Sequence, residues 1–148
     1  MDEKPLNGID ILPHRDPFLF LDRVVSHDAK SSVGVVVFGP ERDFFRGHFP
    51  GHPIVPGVIL LEAMAQSAAA GVLAGQREGQ YAGSSDILMF AGAESVRFRR
   101  PVVPGDEFET HAEAVRVGHR FGRFRVKGYV RGELAAEAEI RCVAKRDD

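Results

Sequence analysis

Hydrophobic residues occupy almost every position of GVILLEAMAQSAAAGVL, from Gly57 to about Leu73. This predicts a helix with Pro56 near its start and apolar side chains around nearly its whole circumference. Such a helix has to be surrounded. Glu62 and Gln66 stand four apart and share one face, forming with Ser67 its strongly polar stripe. Elsewhere the period is two. FLFLDRVVSH and SVGVVVF read as strands joined by DAKSS into a hairpin, and Val96 and Phe98 alternate with Arg97 and Arg99 before the turn PVVPGD. Leu134, Ala136, Ala138, Ile140 and Cys142 take the apolar phase against Glu137, Glu139 and Arg141, after a tight turn at Arg131-Gly132. Asn7 and Pro13 bracket a short helix, with Asn7 as its N-cap. ERDFFRGHFPGHPIVP is too rich in Gly and Pro for a regular element and predicts a shaped loop.

Five to seven antiparallel strands and one long buried helix predict an α+β fold over residues 1–148 as one domain, the sheet curling around the helix. A single small sheet struggles to cover an apolar helix on all sides, which predicts a second subunit and a twofold dimer. Residues 54–74 approach a membrane span in hydrophobicity, but Pro56, Glu62, Gln66, Ser67 and the many alanines favour burial in protein. A hydrophobic fraction of 44% and a charged fraction of 27% are those of an ordinary globular chain.

Charge adds one regional feature. The formal net charge of -2 excludes a general nucleic-acid binder, yet residues 97–131 carry nine Arg and Lys against four acids. That stretch reads either as a positive face for an acidic partner or as a solvated strand surface. The single cysteine, Cys142, has no partner for an internal disulfide and falls in the inward strand phase. The acidic N-terminus lacks the basic and apolar regions of a secretory signal, so a cytoplasmic protein is expected.

The chemistry concentrates in GHFPGHPIVPGVILLEAMAQ, residues 47–66. His48 lies in a loop stiffened by Pro50, Pro53 and Pro56, where a neutral imidazole can act as a base near neutral pH or serve as a structural group. Glu62 is either an acid whose proton burial retains or one half of an ion pair with another element. Gly57 begins the helix, where unpaired N–H groups and the positive dipole end favour negative charge developing on an oxygen. Gly57 and Glu62 are about 7–8 Å apart along the axis, a gap that the backward lean of the side chain shortens. The three suit removal of water from a β-hydroxy thioester, with His48 as base, Gly57 N–H on the carbonyl and Glu62 as acid. Metal binding by His48, His52 and Glu62 is disfavoured, because Pro50 and Gly51 prevent the two histidines from converging as a helical pair. His14, His27, His111 and His119 have no convergent partners in the sequence and read as structural or surface groups.

With LPHRDPFLFLDRV, GHFPGHPIVPGVILLEAMAQ and FAGAESVRFRRPVVPGD, the chain resembles the β-hydroxyacyl-acyl-carrier-protein dehydratases of bacterial type II fatty acid synthesis over nearly its whole length. The resemblance implies a hydro-lyase with a hot-dog fold, the sheet continuing across a homodimer, and assembly either as that dimer or as three dimers in a hexamer. It also implies that His48 of one chain meets Glu62 of the other, with Gly57 N–H on the thioester carbonyl. No cofactor or metal is expected beyond the phosphopantetheine arm that carries the substrate. That arm belongs to an acidic acyl carrier protein, for which Arg97, Arg99 and Arg100 are the candidate surface. Glutamate rather than aspartate at the acid position implies a dehydratase without double-bond isomerase activity. Met89 stands where the family often has a gating tyrosine, and Ile87 and Met89 are candidate substrate-lining residues by strand phase. A hot-dog thioesterase and a noncatalytic acyl-binding module are the alternatives.

Overall fold

The computed structural model describes residues 6–76, 86–118 and 120–146. The order of elements is β1 (Leu6–Asn7), α1 (Gly8–Ile11), β2 (Arg23–His27), β3 (Ser31–Val37), α2 (Phe44–Gly47), α3 (Gly57–Gln76), β4 (Asp86–Phe98), β5 (Glu107–Gly118), β6 (Phe121–Val130) and β7 (Glu133–Arg146). One antiparallel sheet contains all seven strands in the order β1-β2-β3-β5-β6-β7-β4. Its layer opposite the long helix α3 is built by the alternation read from the sequence. Phe108, Thr110 and Ala112 of β5 are buried between exposed Glu107, His111 and Glu113, and Ala136, Ala138, Ile140 and Cys142 of β7 repeat the pattern. The β6–β7 connection is the two-residue turn expected, with Arg131 at φ 50° and Gly132 at φ 80°.

Every residue of α3 from Ala63 to Gly71 is buried within the one chain. Expecting a second subunit to cover the helix therefore misplaces the need. Leu60, Met64 and Ala68 pack with Val36, Phe108, Val126 and Ile140 of the sheet, while Ala70 and Ala74 pack with Ile11, Leu12 and Leu21 of the N-terminal segment. Alanine makes this possible, because short side chains let sheet and segment approach the axis from two sides. A Cβ on Gly34 of β3 would lie 2.2 Å from Ser67 Oγ, so the backbone of β3 comes nearly against the helix. There Ser67 hydrogen-bonds Thr110, whose Oγ1 also donates to Gly34 O at 3.3 Å.

Three local features depart from the sequence reading. Strand β2 begins only at Arg23, since residues 12–22 serve as a cover over the helix. Part of the predicted loop closes into the single helical turn α2, whose Phe45 is buried. Asn7 does stand at the N-cap of α1, but without a side-chain capping bond. What the chain leaves open is the edge strand β4, with Met89 47%, Phe90 38% and Phe98 50% exposed, beside the first turn of α3, where Val58 is 71% exposed. Among the described residues no helix is long and apolar enough to cross a membrane.

The tight seat of α3 on β3 gives a stability prediction. Gly34→Ala should cost about 1–3 kcal/mol in urea denaturation, as overpacked cores do. Adding Ser67→Ala, which removes the nearest atom, should recover part of that loss. Wild-type stability for the single variant would disprove the close approach.

Candidate active site

Two segments prepare the ends of the site. In the loop before α3, the Ile54 N–H donates to His48 O at 2.8 Å, and His48 Nδ1 lies 2.9 Å from Ile54 O. A carbonyl oxygen can only accept, so Nδ1 carries the ring proton and Nε2 keeps its lone pair. The ring stacks on Phe49 with centroids 4.1 Å apart. Val55 N–H donates to Val102 O at 2.8 Å, tying the loop to the turn ahead of β5. Gly57 opens α3 against the ring of Phe98, where a Cβ would fall 2.8 Å from the aromatic carbon Cε2. The Ile59 and Leu60 N–H groups donate to Pro56 O at 2.9 and 3.2 Å, whereas the Gly57 and Val58 N–H groups precede the first helical acceptor.

One turn further on, the polar stripe of α3 meets the N-terminal segment. Gln66 is 2% exposed and fully used: Oε1 accepts from Phe20 N–H at 2.7 Å, while Nε2 donates to Phe18 O at 3.0 Å and to Glu62 Oε2 at 2.9 Å. His14 Nε2 lies 3.8 Å from the same Glu62 oxygen. No Lys or Arg pairs with Glu62 among the described residues. Burial therefore raises its pKa, and the hydrogen bond from Gln66 opposes that rise only in part. For His14 the same desolvation, aided by Arg15, pushes the pKa down, so the imidazole is neutral at pH 7.

Glu62 and His14 open on a small, partly open pocket whose other walls are Ala65, Gln66, Ala69, Met89, Phe90 and Cys142. An apolar acyl chain suits such walls. The Cys142 thiol is pushed up to about 12, by burial first and by the Glu62 carboxylate second. Met89 is among the walls of this pocket, as is its neighbour Phe90, whereas the side chain of Ile87 falls outside the described residues. His48 does not line this pocket, and its side-chain hydrogen bond and ring contact lie within its own loop. His14, read from sequence as structural or surface, is the residue sequence reasoning missed. Only its place in LPHRDPF marked it.

Arg97, Arg99 and Arg100 stand exposed at the end of β4. Arg99 pairs with Glu137 at 2.6 Å and Arg100 with Glu133 at 2.9 Å, while Arg97 has no acidic partner among the described residues. Further along the basic stretch, Arg123 pairs with Glu139, Arg125 with Glu113 and Arg131 with Asp106, so much of its charge is already balanced. His111 pairs with Glu109 at 2.6 Å on the surface, and His119 lies outside the described residues. Among the described residues no three His, Cys, Asp or Glu side chains converge as a metal site.

Comparison with known proteins is consistent across sequence and structure. The model of the FabA-like domain matches residues 12–139. A protein of Pelotomaculum thermopropionicum named 3-hydroxyacyl-[acyl-carrier-protein] dehydratase FabZ is 44% identical over 132 residues, covering 88% of this chain and 91% of its own. A Proteus mirabilis protein of the same name is 41% identical over 140 residues, covering 94% and 91%. Among solved structures, the dehydratase heterocomplex ApeI:P from Xenorhabdus doucetiae aligns with a TM-score of 0.84 at 20% identity, over 97% of this chain and 94% of that one. PH1136 from Pyrococcus horikoshii aligns at 0.66 and 16% identity, over 98% and 97%. The structural likeness establishes the hot-dog fold.

The raised pKa of Glu62 makes stability pH-dependent, with a definite sign. The folded chain holds this proton more tightly than the unfolded chain, whose carboxyl titrates near 4.5. The contribution is complete below that value and is lost as pH rises through the folded pKa. Glu62→Gln removes the dependence, so its stability relative to wild type should climb from mildly acidic to neutral pH in urea melts. A difference independent of pH would refute the assignment.

Proposed function

The chain belongs to the FabA-like domain family and is a hydro-lyase, and on that premise we propose that it converts (3R)-hydroxyacyl thioesters on acyl carrier protein into trans-2-enoyl thioesters. Type II fatty acid synthesis supplies the substrate. The observation that carries the reading is Glu62: a carboxyl on an otherwise apolar helix, biased by burial toward its protonated form, fixed by Gln66 and opening on an apolar pocket.

The steps follow from the groups. His48 Nε2, left basic by the Nδ1–H bond to Ile54 O, removes the proton at C2. Negative charge moves to the thioester oxygen, where the Gly57 N–H at the start of α3 receives it. Glu62 protonates the C3 hydroxyl as the C–O bond breaks, releasing water and leaving a conjugated alkene. The catalytic pair ends as imidazolium and carboxylate, so net proton transfer back resets it. No cofactor is needed for any step.

Because the side-chain hydrogen bond and ring contact of His48 lie within its own loop and it is not among the residues lining the Glu62 pocket, the second partner comes from a homodimer in which His48 of one protomer serves Glu62 of the other. The open β4 edge and the exposed Phe49, Val58, Met89, Phe90 and Phe98 support this, since a second copy continuing the sheet along β4 would cover them. Met89 lines the acyl path. Arg97, Arg99 and Arg100 receive the acidic carrier protein, which delivers its arm between protomers. Three such dimers would form a hexamer. The whole chain acts as one catalytic domain, in the cytoplasm.

The test is a carrier-linked assay run in both directions. Wild type should dehydrate the hydroxyacyl substrate and hydrate the enoyl product, with a bell-shaped pH profile because an unprotonated His48 and a protonated Glu62 are required together. His48→Asn and Glu62→Gln should each lower turnover by roughly 10²–10⁴-fold while remaining folded. Release of free acid without any unsaturated product would point to a thioesterase. Full activity in both variants would leave no basis for the roles.

A further inference from the structure

The reaction proposed above leaves Glu62 as a carboxylate in a pocket that disfavours charge, and His14 is placed to answer that change. Its ring is largely buried and shares the pocket with Glu62. Arg15 fixes the backbone there, with Nη1 donating to Leu12 O at 3.0 Å and to His14 O at 2.6 Å. The two ring nitrogens face different surroundings. Nδ1 is buried with no hydrogen-bond partner among the described residues, whereas Nε2 faces Glu62 Oε2 across 3.8 Å. In a neutral imidazole one nitrogen carries the proton, and an orphaned N–H would be left unpaired at Nδ1. The proton therefore sits on Nε2, directed at the carboxyl.

We infer that His14 is a positioning residue for the acid step: its Nε2–H closes on Glu62 Oε2 as Glu62 gives up its proton, joining the Gln66 amide in stabilising the carboxylate. The inference rests on the proposed role of Glu62 as acid. A separation of 3.8 Å is beyond a hydrogen bond, and closing it takes a shift of under about 1 Å. The donor thus does little for the uncharged carboxyl and much for the ionised one, as stabilisation specific to the reacting state requires. With Gln66 and His14 both aimed at Oε2, the acidic proton belongs on Oε1.

The groups facing Glu62 are few. The N-terminal segment contributes His14, α3 itself contributes Gln66, and β7 contributes Cys142, which stays a thiol. From β4 the pocket receives only Met89 and Phe90, which do not titrate. Arg15 acts on His14 by charge and helps keep it neutral.

Three replacements separate the donor from the space it fills. His14→Phe keeps a ring but no donor, His14→Gln places an amide N–H near the position of Nε2, and His14→Asn places it near Nδ1. His14→Phe should lower kcat about tenfold, the factor expected for losing one hydrogen bond to a charged group, and move the alkaline limb of the pH profile upward. His14→Gln should restore most of both, while His14→Asn should resemble His14→Phe. Carboxyl NMR titration of Glu62 in the free protein gives a readout independent of turnover: its pKa should rise in His14→Phe and return toward wild type in His14→Gln. Wild-type titration and pH profile in His14→Phe would overturn the inference. So would a loss that Asn and Gln rescue equally. Activity in Glu62→Gln would instead remove the acid role itself, and the NMR titration would still show whether the two side chains are coupled.

Discussion

One side chain, Gln66, ties the architecture to the chemistry. Its amide holds the backbone of Phe18 and Phe20 on one side and the Glu62 carboxyl on the other, so the same group that fastens the N-terminal segment over α3 also orients the acid. An amide suits this place because it accepts and donates at once. A leucine would leave a buried N–H and a buried C=O without partners, a cost of about 1–3 kcal/mol each. The polar stripe on α3 is thus a junction, and the neighbouring pair Ser67–Thr110 fastens the next turn to the sheet.

Around this junction the molecule divides its labour by size of side chain. Alanines in the second half of α3 let the sheet and residues 6–22 close on the helix from both sides, without help from another chain. The larger residues Phe20, Phe38 and Phe108 fill the space nearer the loop that carries His48. What the single chain leaves open is the edge of β4 and the first helical turn, which show apolar side chains to solvent. The body of the fold is therefore closed, and its open side is the one beside the loop of His48 and the start of α3, where the proposed chemistry would take place.

Much of this was legible in the sequence. The helix, its glutamate-glutamine stripe, the alternating strands and the Arg131-Gly132 turn all follow from period and turn chemistry, which are local. The role of residues 12–22 was not legible, because FLFLDR has the composition of a strand and only tertiary contacts turn it into a cover. His14 escaped for a related reason: no spacing along the chain reveals that a residue before the first long strand will face the middle of a helix that starts 43 residues later. The charge balance of the basic stretch was also not legible. Counting charges over 97–131 omits Glu133, Glu137 and Glu139 on the adjoining strand β7, which pair with three of its arginines across the sheet.

The wall of the pocket contains a sulfur atom, and the proposed product makes that placement delicate. An alkene conjugated to a thioester is a Michael acceptor, and a cysteine thiolate is the nucleophile it would capture. With the Cys142 thiol pushed up to about 12, it stays protonated at neutral pH. The Glu62 carboxylate is part of that rise, second to burial, so in the proposed reaction the electrophile would form beside a thiol held in its unreactive form.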